Sequence, residues 1–112
     1  MNRAMNREEP AVTTLIVLFN LKNPAALSDY ERWAREVDLP TASSLPSVER
    51  FEVLKAKGLL GGGASPYQYV EIIRVKDMAQ LGLDVATAAM QKVTAQFQAF
   101  ADNPLFMVTD PL

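Results

Sequence analysis

Residues Thr13 to Lys22 (TTLIVLFNLK) form a nearly continuous apolar run rich in β-branched side chains. Such a run reads as a strand buried on both faces. Tyr67 to Lys76 (YQYVEIIRVK) and Leu105 to Thr109 (LFMVT) share this character. Two helices can cover only one face of a four-stranded sheet. A soluble chain rarely leaves the other face in water when it is this apolar. The pattern therefore predicts that two sheets pair face to face.

The segments between these strands complete the order. Ser28-Asp29-Tyr30-Glu31 has the form of a capping box. Leu27, Tyr30, Ala34 and Val37 follow at helical spacing, with Trp33 beside them. This helix is predicted to stop near Asp38, because Leu39 precedes Pro40 and is pushed out of the α region. Thr41 to Leu45 is then a further short turn. Glu49 to Ala56 (ERFEVLKA) reads as a second strand and Gly58 to Pro66 as a loop. Asp77 can cap a short helix broken at Gly82. Asp84 or Thr87 can cap the main second helix, where Ala86, Met90, Val93, Phe97 and Phe100 fall at 4-3-4-3 spacing. Asp102-Asn103-Pro104 ends it. The class is α+β, with the order β-α-β-β-α-β and both helices on one face of an antiparallel sheet. One domain is expected over residues 12–112, after a flexible lead-in at residues 1–11.

Composition narrows the chemistry. A net charge of −2 with no basic block argues against nucleic acid or an anionic membrane surface as partner. No apolar run approaches the ~20 residues that span a bilayer. MNRAMNREEP lacks the apolar core of a secretory signal. With no Cys, thiolate nucleophiles, disulfides and Cys-held metals are excluded, and the chain fits a cytoplasmic setting. With no His, the commonest general base and the commonest transition-metal ligand are missing. Ser-His-Asp and Cys-His schemes cannot be built. No EF-hand spacing or nucleotide fingerprint is present, so neither cofactor nor metal is expected.

The stretch from Tyr30 to Val53, YERWAREVDLPTASSLPSVERFEV, resembles the first helix and second strand of the dimeric α+β barrel superfamily. In that superfamily a ferredoxin-like βαββαβ chain pairs through its sheet. Many relatives carry a His at the position of Asp38. Asp38-Leu39-Pro40 is most similar to the RedY-like (HapK-like) family, linked to prodiginine-type pigment pathways. The resemblance runs from about Val12 onward. It implies a homodimer whose subunits each bind a small aromatic or heteroaromatic metabolite between helices and sheet. It also implies that any chemistry there is cofactor-independent. The absence of His counts against the haem-degrading branch. The rival reading is a non-catalytic binding module similar to the stress-responsive α/β-barrel proteins.

Seven residues are candidates for a site. Asp38 stands at a helix end, where the macrodipole disfavours a carboxylate. If it is also buried, its pKa rises into the range useful for proton transfer. Its other reading is a helix cap. Glu71 lies mid-strand between Val70 and Ile72, so it must be paired or protonated. It is either a second acid/base group or the partner of Arg50, Lys55 or Lys22. Tyr30, Trp33, Tyr67 and Tyr69 can line an aromatic pocket or serve as ordinary core. Asn20 can supply an amide, as in the Trp/Tyr/Asn-lined pocket of cofactor-independent oxygenases in the superfamily, or sit in a strand-end turn. Gly61-Gly62-Gly63 lacks the ending of a P-loop and reads as a flexible hairpin loop.

Overall fold

The apolar run forms β1 (Thr13–Leu21), which lies inside the sheet between β3 (Tyr69–Val75) and β4 (Ala101–Thr109). The outer side of β3 holds β2 (Val48–Lys55), giving the antiparallel order β2-β3-β1-β4. This computed structural model describes residues 12–112, and the lead-in expected at residues 1–11 lies outside the described residues.

Register fixes which side chains meet. Val17 stands opposite Glu71 on β3 and Phe106 on β4, while Val53 on β2 flanks Glu71 on its other side. Because side chains alternate along a strand, Val17, Phe19, Phe51, Tyr69, Glu71, Ile73 and Phe106 share one face. All the helices pack on that face. Phe19 is its centre: it stacks on Tyr69 at 5.5 Å and meets Tyr30 and Phe97 edge-on at 5.6 and 5.0 Å. Aromatic pairs of this kind contribute about 0.5–1.5 kcal/mol each beyond burial.

The first helical segment departs from the sequence expectation at both ends. Ser28 does not cap it. A 3-10 turn (Pro24–Ala26) precedes α1 (Leu27–Trp33), and Asn23 caps that turn by accepting from the Ala25 amide at 3.0 Å. Nor does the helix stop at Asp38. It widens into a π-helical turn (Ala34–Asp38) and continues as α2 (Leu39–Ser43). The Leu39 amide reaches back five residues to the Ala34 carbonyl. Pro40 has no amide to give and its ring crowds the preceding turn. The wider turn absorbs both defects.

Two further helices follow β3. α3 (Met78–Val85) is capped by Asp77 and runs through Gly82 unbroken. A glycine costs only about 1 kcal/mol in a helix, too little to break this one. α4 (Ala88–Phe100) is capped by Thr87, whose hydroxyl accepts from the Met90 amide at 3.3 Å, and it buries Met90, Val93 and Phe97. β4 begins at once, at Ala101 rather than Leu105. Asn103, at φ 47°, sits where the β1–β4 register shifts. Asn tolerates that left-handed conformation better than most residues.

The opposite face of the sheet carries Ile16, Leu18, Leu54, Val70, Ile72, Leu105 and Met107. Leu54, Leu105 and Met107 are 45%, 46% and 37% exposed. Arg50, Glu52 and Arg74 share that face toward the β2 end.

Candidate functional site

Glu71 points among the helices because β3 alternates: Tyr69, Glu71 and Val75 are buried, and the residues between them are less so. Asp38 arrives from the other side, on the last residue of the π-helical turn. Tyr30, Ala34, Asp38 and Ala42 are the buried positions along the whole helical segment. Asp38 thus continues the i, i+4 row of Tyr30 and Ala34, with Val37 half-buried beside it.

The two carboxyl groups line one cavity of about 190 Å³. Its wall is otherwise almost wholly apolar, including Leu45, Phe51, Ile73, Met90, Phe97 and Phe106. Thr94, Val85 and Phe106 are exposed and form its open side. Asp38 and Glu71 are only 6% and 5% exposed. Asp38 makes no capping hydrogen bond, and Glu71 Oε2 has no hydrogen-bond partner. The cations considered for Glu71 are placed elsewhere. Lys55 pairs with Glu31 at 2.8 Å, Arg50 pairs with Glu52 at 3.2 Å, and Lys22 is exposed.

Burial without a counter-ion disfavours the charged form of each carboxyl. Burial pushes Asp38 up to about 6. Burial, and then the nearby charge of Asp38, pushes Glu71 up to about 8. Both carboxyls are thus pushed toward their protonated forms, Glu71 the further. Behind them stands Tyr30, fully buried, with its hydroxyl unpartnered. Burial first, then Glu71 and Asp38, hold that phenol well above its ordinary pKa.

The other candidates divide. Trp33 donates from Nε1 to Gln96 Oε1 at 2.9 Å and packs on Tyr30 and Phe100, as core rather than cavity wall. Tyr69 donates to Glu31 Oε2 at 2.6 Å. With Tyr30, Glu31 and Lys55 it lines a second, smaller cavity of about 150 Å³. Asn20 is outside both. Its amide donates to the Pro66 carbonyl at 3.0 Å and accepts from the Gln68 amide at 2.9 Å, tying down the loop before β3. Tyr67 belongs to that loop, in a turn closed by the Ser65 hydroxyl. The three-glycine segment is likewise a backbone turn, with the Gly62 amide on the Leu59 carbonyl at 3.0 Å.

Sequence reasoning passed over three contributors. Glu31 was assigned to a capping box, yet it binds Tyr69 and Lys55. Asp84 accepts from the Ser47 amide at 3.0 Å and from Gln80 Nε2 at 2.8 Å, anchoring the start of β2 beside the cavity. These bonds hold its pKa below the usual carboxylate range. Phe106 was legible in principle, since it alternates with Leu105 and Met107 on the last strand. Among the described residues no cluster of three or more His, Cys, Asp or Glu is placed to hold a metal ion. No helix among them is long and apolar enough to cross a membrane.

The fold is the ferredoxin-like α+β class. A dabb-family protein from Mesorhizobium loti described as having a ferredoxin-like fold superposes with a TM-score of 0.71 at 16% identity, over 91% of this chain and 98% of its own. SnoaB, described as a cofactor-independent oxygenase from Streptomyces nogalater, gives 0.66 at 14% identity, over 91% and 94%. At such identities the likeness speaks for the fold alone. The crystal structure of HapK from Hahella chejuensis is nearer in sequence: 30% identity, a TM-score of 0.73, and coverage of 89% of this chain and 92% of HapK. The profile of the REDY-like protein HapK family matches residues 13–112. The chain belongs to that family. None of the curated proteins matches it.

Proposed function

We propose that the Asp38–Glu71 cavity binds a small aromatic or heteroaromatic metabolite of secondary metabolism and moves a proton on it. One observation carries this reading. Two buried carboxyls converge on a ligand-sized apolar cavity, and neither is used as a cap or in an ion pair. Membership of the REDY-like HapK family supports the secondary-metabolic setting.

The roles follow from the environments. Two titrating groups pushed to different pKa values divide the work of base and acid. Asp38, at about 6, is ionised at neutral pH and takes a proton from an acidic position of the ligand. Glu71, at about 8, is protonated and gives its proton where negative charge develops. The step is a proton relocation and needs no redox partner or cofactor. Phe51, Phe97 and Phe106 hold the ring, and Tyr30 stiffens the wall behind the pair.

The subunit acts as a homodimer through the apolar sheet face. Leu54, Leu105 and Met107, with the half-buried Ile16, Leu18, Val70 and Ile72, give that face the character of an interface core. A stable interface of this kind buries at least ~1,200 Å² in total.

The test is a screen of aromatic and heteroaromatic metabolites by protein-observed NMR. Shifts centred on Asp38, Glu71, Phe97 and Phe106 are expected. Shifts elsewhere, or none, would overturn the site. A monomer in light scattering at micromolar concentration would overturn the dimer.

A further inference from the structure

The geometry points to a ligand that carries a protonated nitrogen on a single ring, an organic monocation, as the species the Asp38–Glu71 cavity selects. This rests on the site proposed above and goes further by fixing the ligand's charge and size.

Charge comes first. Among the residues lining the cavity, the polar side chains are Asp38, Glu71 and Thr94, and there is no Lys or Arg. Thr94 is exposed at the open side, so the depth of the cavity offers carboxyl oxygens alone. Glu71 is 95% buried by the measure of its 5% exposure, and its Oε2 is unpartnered. The fully buried Tyr30 hydroxyl nearby is also without a partner. An unpartnered buried carboxyl oxygen is a costly group that a donor would satisfy. A carboxylate or phosphate ligand would instead meet like charge in an apolar space. A neutral ligand would leave Asp38 ionised and uncompensated. A monocation pairs with the one negative charge the site carries at neutral pH, and its N–H groups reach both carboxyls.

Size comes second. An apolar protein cavity of ~150 Å³ accepts benzene. The space here, about 190 Å³, takes one ring with a short cationic arm. A longer ligand must extend past Phe106 and Val85 toward solvent.

The probe is benzamidine, compared with neutral benzamide and anionic benzoate by NMR titration and calorimetry on the full chain. We expect benzamidine to bind about 10- to 100-fold tighter than benzamide, the worth of a charge-assisted hydrogen bond, and benzoate not to bind. The pair faces Tyr30 from α1. From β2, α3, α4 and β4 the lining residues bring no titratable group. Benzamidine should therefore pair with the Asp38 charge and leave the Glu71 proton in place. Calorimetry at pH 7 in two buffers of different ionisation enthalpy should read a release well below one proton per ligand. Asp38→Asn and Glu71→Gln, checked for native spectra, should each bring the ratio of benzamidine to benzamide affinity toward one. Benzamide or benzoate binding as well as benzamidine overturns the charge selection and leaves the site standing. Benzamidine binding unchanged in Asp38→Asn also overturns it. Failure of all three probes to bind overturns the site as well.

Discussion

Glu71→Gln should make this protein more stable, and only above about pH 5. Glu71 is 5% exposed, its Oε2 is unpartnered, and its pKa is raised from 4.5 to about 8, chiefly by burial. For an acid with a raised folded pKa, the folded state binds the proton more tightly than the unfolded state. Stability is then unaffected below 4.5, falls as pH rises from 4.5 toward 8, and levels off above that. At neutral pH the unfolded chain has gained about 2.5 pH units of ionisation that the folded chain has not. At 1.36 kcal/mol per unit this sets an upper bound of about 3 kcal/mol. A glutamine keeps the shape and neutrality of the protonated acid, so most of that loss disappears. We expect a gain of roughly 2 kcal/mol at pH 7 and none at pH 4. Glu31 and Asp84 have lowered pKa values, so their contributions are present above their unfolded pKa and are lost as pH falls. They bend the wild-type curve only at the acid end. The assay is urea unfolding of both proteins at pH 4, 5.5, 7 and 8. A variant equal to or weaker than wild type at pH 8 would show that Glu71 is ionised and paired in the folded protein.

Asp38→Asn should keep or raise stability at neutral pH, because the charged form it removes is the disfavoured one. Once a reaction is assigned, that variant should lose about 10²- to 10⁴-fold in turnover, and near-native rates would remove Asp38 from proton transfer. Tyr69→Phe deletes the 2.6 Å hydrogen bond to Glu31 and should cost about 1 kcal/mol in thermal unfolding; no change would mean that Lys55 alone satisfies Glu31. Phe97→Ala opens the core against Phe19 and should cost about 3–4 kcal/mol, and a cost below 1 kcal/mol would mean that the cavity collapses onto the gap.

The sheet was legible because its signal is local. Apolar runs at Thr13 to Lys22 and Tyr67 to Lys76 mark β1 and β3, while burial within the subunit falls on their helix-side positions. Glu71 stood out for the same reason, as a lone carboxylate in an apolar strand. The helix ends were less legible. Ser28 and Glu31 have the spacing of a capping box, but Tyr69 and Lys55, distant in sequence, claim Glu31. Asn20 looked like a pocket amide because the chain gives no sign that the loop at Pro66 and Gln68 folds back over it. In each case a tertiary hydrogen bond competes with a local motif and wins.

Asp38 shows how far a local rule can mislead about a helix end. Pro40 disfavours the α region at Leu39, which argues for a helix end. A π-helical turn offers another way out, since it moves the hydrogen-bond register past the missing amide. Through that turn Asp38 stays in the buried row of Tyr30, Ala34 and Ala42. At about 100° per residue a regular helix would also place Asp38 inward, four residues after the buried Ala34. π-turns are energetically poor and recur at functional sites. Here the turn also costs the burial of an unpaired carboxyl. Both costs meet at one residue and serve no packing purpose that a valine would not serve better. A carboxyl lining the cavity at this cost is what the proposed proton transfer requires.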